Sequence, residues 1–155
     1  MRNSLGWLVA AAMVAGGTAA PQAQTVLKVV PQSDLRVLDP IFGGGTIIRN
    51  HGAMIYDQLF ALDLNLAPQP QMVESFTQSA DKLTYTFKLR PGLAFSDGEP
   101  VRPEDVIQSL DRWSKRDIMG IALYAKVASV AKVDGTSFRM TLKEPYGQVS
   151  NPWRG

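Results

Sequence analysis

Residues 83–90 carry the clearest pattern in the chain: Leu83, Tyr85, Phe87 and Leu89 alternate with Thr84, Thr86, Lys88 and Arg90. A period of two puts the first set on one face of a strand and the second on the other, so one face is core and one is wet. Pro91-Gly92 stops the run. A second alternation, Phe138, Met140 and Leu142, lies in residues 136–143; with residues 127–133 it reads as a hairpin turning on Asp134-Gly135, closed by Pro145. Residues 74–79 read as a further strand, and Ala80-Asp81-Lys82 as the turn into residues 83–90. Residues 26–30 are mostly apolar without alternation and end at Pro31, the pattern of a short buried strand.

Helical spacing appears twice. Val106, Ile107, Leu110 and Trp113 form an apolar stripe. Pro103 sits at the first position that a helix accepts, Glu104 and Asp105 face the positive end of the dipole, and Arg112, Lys115 and Arg116 gather at the other end. Asp111 and Lys115 are spaced to pair. The second helix is expected over residues 46–57, from Ile47, Ile48, Ala53, Met54 and Ile55, with Thr46 as its N-cap. Residues 31–42 read as irregular around an Asp39-Pro40 turn, residues 66–70 as a connector with two prolines, and Ser96-Asp97-Gly98 as a tight turn. The sum is an α+β or α/β unit with partly antiparallel strands and no internal repeat.

The first two dozen residues differ from all that follows. Arg2 precedes an uncharged apolar stretch over residues 5–15, then a run of small residues over 16–20. This is the three-part pattern of a secretory signal peptide, and the apolar stretch is short of the roughly 20 residues of a membrane span. A buried helix there would end badly at Gly16-Gly17 and Pro21. Cleavage is placed after Ala23; a cut after Ala20 would leave Pro21 just past it. The chain has no cysteine, so disulfides, thiol catalysis and zinc–thiolate sites are excluded, and the signal region has no cysteine for a lipid anchor. A free periplasmic protein is the expectation.

For the rest, 155 residues make one domain, and 45% hydrophobic with 19% charged residues is ordinary for a globular chain. A net charge of +2 with scattered Lys and Arg gives no basic patch, so a nucleic-acid partner is not expected. His51 is the only histidine and reads as a surface or satisfied residue; no metal-ligand spacing is present. Asp97, Glu99, Glu104 and Asp105 are explained by turn and helix-start chemistry rather than by a metal. Gly43-Gly44-Gly45-Thr46 before a helix could cradle an anion, but it lacks the Lys of a phosphate loop, and a flexible loop is the better reading. No serine sits in a nucleophile elbow or beside a His–acid arrangement, and no catalytic group, metal or cofactor is expected.

Residues 32–142 contain a series of segments in a telling order. Leu38-Asp39-Pro40 follows the first strand, then come Ile55-Tyr56-Asp57-Gln58-Leu59-Phe60 and Gln69-Pro70-Gln71-Met72-Val73-Glu74-Ser75-Phe76. The longest runs from Leu83 through Pro91-Gly92 and Ser96-Asp97-Gly98 into Pro103-Glu104-Asp105-Val106 and Ser109-Leu110-Asp111-Arg112. These resemble the family 5 extracellular solute-binding proteins, the group of dipeptide and oligopeptide carriers. Asp57 stands where the family usually has Glu, and Arg102-Pro103 where it usually has Thr-Ala, a change of helix start rather than of role.

The resemblance implies an α/β fold, a mixed sheet with helices, forming the first-lobe portion of a two-lobed type II periplasmic binding protein. It divides the chain into a signal peptide at residues 1–23, a partial first lobe at 24–149 and an atypical end at 150–155. It implies a monomeric substrate-binding component of an ABC importer that captures peptides in the periplasm and passes them to the permease subunits by hinge closure. The same fold with nickel, haem, glutathione or an oligosaccharide as ligand, or a truncated fragment without function, are the alternatives. By analogy Gln32, Ser33, Asp34 and Leu35 face the cleft, a plain surface loop being the competing account. The family's acidic partner for the peptide amine belongs to the other lobe, and family members are several times longer. Residues 150–155 are unlike the helix expected there, which suggests a frameshift, a premature stop or an incomplete gene model. This polypeptide alone is therefore expected to bind peptide poorly or not at all.

Overall fold

The computed structural model describes residues 26–43, 45–147 and 149. The expected signal peptide, Gly44 of the glycine run and the atypical end at 150–155 lie outside the described residues. Two compact units are distinguished, Met1–Val30 and Pro31–Gly155. Of the first unit, residues 26–30 are irregular and exposed, so the strand expected there is not formed. An apolar run without alternation becomes a strand only when neighbours cover both of its faces.

In the second unit a four-stranded sheet is built on the two alternating segments. Strand β3 spans Val73–Gln78, β4 Thr84–Leu89, β5 Val127–Lys132 and β6 Ser137–Leu142, in the order β3-β4-β6-β5 and antiparallel throughout. Tyr85, Phe87 and Leu89 of β4 and Phe138, Met140 and Leu142 of β6 are buried on one face, as the period of two requires. Phe87 stands opposite Phe76 in β3 and Phe138 in β6, and the Phe87 and Phe138 rings stack with centroids 5.0 Å apart. Burial of each such ring contributes on the order of 2–3 kcal/mol. Both edge strands carry a bulge, between Val73 and Ser75 and between Val127 and Ser129, which breaks up an otherwise open pairing edge.

Helix α2 (Pro103–Ser114) and helix α3 (Ile118–Lys126) supply the packing partners of that face. Val106 of α2 is in the core, with Ile107, Leu110 and Trp113 packed against it. Pro103 opens α2 as expected, and the Asp105 carboxylate accepts from the Arg102 N–H (2.8 Å), so the helix start is closed from its third residue. Helix α3 was not evident in the sequence. It is started by Asp117, whose carboxylate accepts from the N–H groups of Met119 (2.8 Å) and Gly120 (3.3 Å). A Cβ on Gly120 would lie 2.8 Å from the Trp113 carbonyl oxygen, so α2 and α3 meet where no side chain fits.

Helix α1 spans Thr46–Ile55, two residues shorter than expected, and its N-cap is Gly45 rather than Thr46. The Gly45 carbonyl accepts from Ile48 and Arg49, and no side chain caps this end. Strands β1 (Phe60–Leu62) and β2 (Pro68–Pro70) form a separate two-stranded ladder, so residues 66–70 are more than a connector. Both prolines are tolerated because a two-stranded ladder leaves each strand an open edge. Asp63 shapes the loop between them, accepting from Asn65 N–H (2.8 Å), Ala67 N–H (2.9 Å) and the Gln69 amide (3.0 Å). The β5–β6 hairpin exists, but its connection is the four-residue loop 133–136 and Gly135 lacks the positive φ of an Asp-Gly turn. Asp134 accepts from Thr136 N–H (2.8 Å) instead, an Asx-type closure that needs no left-handed residue.

Candidate ligand-contact segment

Gln32, Ser33 and Asp34 are exposed and Leu35 is half-buried, all in irregular chain. Their side chains make no hydrogen bond or ion pair with the other described residues, so their polar groups face solvent. A free segment of this kind contributes to binding only if its ends are fixed, because ordering it on the ligand costs conformational entropy.

Its C-terminal side is fixed by the Asp39-Pro40 turn. The Phe42 N–H donates to the Asp39 carbonyl (3.1 Å) and the Ile41 N–H to the Asp39 carboxylate (2.9 Å), with proline at the turn position that suits its fixed φ. The same carboxylate forms an ion pair with Arg112 of α2. Partial burial pushes the Asp39 carboxyl up, but the Ile41 N–H and the Arg112 guanidinium outweigh it and hold the group below the usual 3.8. Pro40 in turn lies against α1: a Cβ on Gly52 would come 2.9 Å from the Pro40 Cβ. Asp39 and Pro40 thus tie the segment to two helices at once.

Phe42, two residues on, extends this anchorage. The guanidinium carbons of Arg112 and Arg116 lie 5.5 Å and 4.9 Å from its ring centroid. Phe42, the α2 face carrying Gln108, Ser109 and Arg112, and Arg116 just past the end of that helix line an open recess of about 450 Å³. Arg112 is neutralised by Asp39 and Lys115 by Asp111, while the contact Arg116 makes among the described residues is with the ring. The sequence displayed Arg112 and Arg116 as dipole-matched charges at a helix end; their second role at Phe42 depends on a chain reversal that residue spacing does not encode. A second recess lies at the Pro91-Gly92 turn, between Arg102, Lys132 and Thr136, with Lys132 paired to Glu104.

The remaining candidates have local tasks. Asp97 accepts from the Glu99 N–H (3.1 Å), Asp105 from the Arg102 N–H, and Glu104 pairs with Lys132, whose hydrogen bond holds its carboxyl below the usual 4.5. Among the described residues no group of three or more His, Cys, Asp or Glu could hold a metal ion. His51 lies half-buried on α1. No described helix is long and apolar enough to cross a membrane.

The family model described as bacterial extracellular solute-binding proteins, family 5 Middle, matches residues 67–153. A probable peptide ABC transporter periplasmic-binding protein, y4tO of Sinorhizobium fredii, is 40% identical over 116 residues, which cover 75% of this chain and 22% of that protein. The glutathione-binding protein GsiB of Escherichia coli K12 is 33% identical over 121 residues, 77% of this chain and 24% of that protein. The solved structure of MoaA from A. tumefaciens R10 in complex with mannopinic acid superposes with a TM-score of 0.64 at 32% identity, covering 71% of this chain and 24% of that one. The chain spans about a quarter of the length of these relatives. Its sheet and helices form a mixed α/β unit that matches part of a type II periplasmic binding protein. A family match running from β2 beyond β6, and a fold that superposes on a solute-binding protein, make this chain a member of family 5 of the bacterial extracellular solute-binding proteins.

Proposed function

We propose that the chain is part of the substrate-binding component of an ABC importer that captures short peptides in the periplasm and delivers them to the membrane permease. The observation that carries this reading is the 40% identity to y4tO over three-quarters of the chain. In this reading residues 1–23 are the export signal, cut after Ala23. Gln32, Ser33, Asp34 and Leu35 contribute main-chain and side-chain contacts to one wall of the cleft, held in position by the Asp39–Arg112 pair. Binding and release suffice for the role. Glutathione, itself a short peptide, is the second reading, favoured by the 33% identity to GsiB.

The test is uptake in the source bacterium. Disrupting the gene should abolish import of a set of labelled di- to pentapeptides, and glutathione should compete if the second reading holds. Unchanged peptide uptake, with loss of nickel, haem or oligosaccharide uptake instead, would replace the ligand assignment.

A further inference from the structure

Phe42 belongs to a closed cycle of contacts. Its N–H donates to the Asp39 carbonyl (3.1 Å), the Asp39 carboxylate pairs with Arg112, and the Arg112 guanidinium carbon lies 5.5 Å from the Phe42 ring centroid. In such a cycle each contact holds the partners of the next, so the entropy of ordering them is lost once rather than three times.

Arg116 joins this cycle from a fixed point. Its N–H donates to the Trp113 carbonyl (3.1 Å), and the next residue, Asp117, caps α3, so the Arg116 backbone is held in the corner between two helices. From that corner its guanidinium carbon comes within 4.9 Å of the ring centroid, closer than that of Arg112. The Phe42 side chain lies outside the core at 56% accessibility, so what it offers here is its π face rather than core volume.

The order imposed at Phe42 extends back along the chain. Leu35, Val37 and Asp39 are half-buried, whereas Arg36 and Leu38 are exposed, the alternation of an extended strap with one side covered. A strap pinned at its Asp39–Phe42 end holds Leu35 in place, and Leu35 adjoins Gln32, Ser33 and Asp34.

We propose that Phe42 and Arg116 are positioning residues for solute capture, keeping Gln32, Ser33, Asp34 and Leu35 ordered before the solute arrives. The proposal rests on the reading of this chain as part of a substrate-binding component with that segment at the cleft. Released from the clamp, the strap would have to be ordered at the moment of binding, which weakens affinity without slowing delivery to the permease.

Two measurements test it. Amide exchange of the full chain should be about threefold faster at positions 41 and 42 in Phe42→Leu and in Arg116→Gln, the size of one exposed cation–π contact, with β4 and β6 unchanged. Phe42→Leu keeps an apolar side chain but removes the π face, so Phe42→Trp should recover the slow exchange. In the source bacterium with the gene disrupted, the wild-type gene should restore uptake of labelled peptides. Phe42→Leu and Arg116→Gln should raise the half-saturating peptide concentration about threefold at an unchanged maximal rate and protein level, and Phe42→Trp should recover it. Unchanged exchange at positions 41 and 42, or an unchanged half-saturating concentration, would overturn the proposal. So would a lower maximal rate accompanied by less protein, because the two residues would then serve folding. A wild-type gene that does not restore uptake would overturn the underlying reading instead, an outcome distinct from all of these.

Discussion

Tyr124 illustrates how much a single side chain can carry without any role in binding. Its hydroxyl is buried in the described structure without a hydrogen-bond partner, and burial, assisted by the nearby Asp111 charge, pushes its pKa up to about 12. An unsatisfied buried hydroxyl costs its desolvation without return. Tyr124→Phe should thus be neutral or stabilising by up to about 1 kcal/mol in urea unfolding, and a loss of more than about 1 kcal/mol would show that the hydroxyl is bonded. Asp39 is the opposite case, a carboxylate whose interactions win over its burial. Because its folded-state pKa lies below the ordinary 3.8, its contribution to stability is complete above that value and disappears as the pH falls through the lowered one. The Arg112 side chain is 52% exposed, so screening limits the pair to about 0.5–1 kcal/mol. Asp39→Asn should cost that amount near pH 7 and nothing once the pH has fallen well below the lowered pKa, and an equal cost at both would mean that the turn, not the charge, is what Asp39 supplies. The sequence displayed Asp39-Pro40 as a turn, but its partners Arg112 and Gly52 lie far along the chain, and no local pattern links them.

Among the elements, legibility followed amphipathicity. Strands β4 and β6 and helix α2 each have one buried and one wet face, so their periodicity encodes both type and orientation. Helix α3 has no polar face and β2 consists of Pro68-Gln69-Pro70, so neither has a period to read. The Asp117 cap three residues before Gly120 was the one local signal for α3. The residues 26–30 err in the other direction: an apolar run has the composition of a strand but forms one only if it is covered. The α2–α3 crossing gives the element-scale prediction. Alanine at position 120 favours helix by about 1 kcal/mol, but its Cβ would meet the Trp113 carbonyl at 2.8 Å and the Ser114 Cα at 3.0 Å, which are backbone atoms that cannot step aside. Gly120→Ala should therefore lower stability by about 1–3 kcal/mol net, and a stabilised variant in thermal unfolding would mean that the two helices separate at little cost.

For the molecule as a whole, the scaffold of a first lobe and the competence to bind a solute come apart. The sheet, α2 and α3 share a continuous core from Val73 to Leu142, which gives this region the means to fold without a ligand. A small-molecule site, by contrast, encloses roughly 70–90% of its ligand, and that requires opposed walls. Gln32, Ser33 and Asp34 lie open to solvent on irregular chain, and the recess beside Phe42 is open as well. A peptide laid along such a surface gains a few main-chain hydrogen bonds, each worth about 1 kcal/mol net, against an association cost of at least ~4 kcal/mol. The balance predicts that calorimetric titration of this chain with tri- to pentapeptides gives no dissociation constant tighter than about 1 mM. Micromolar affinity would mean that the residues in hand already enclose the ligand, and would move the search for the binding wall from the remainder of the family's length to this quarter of it.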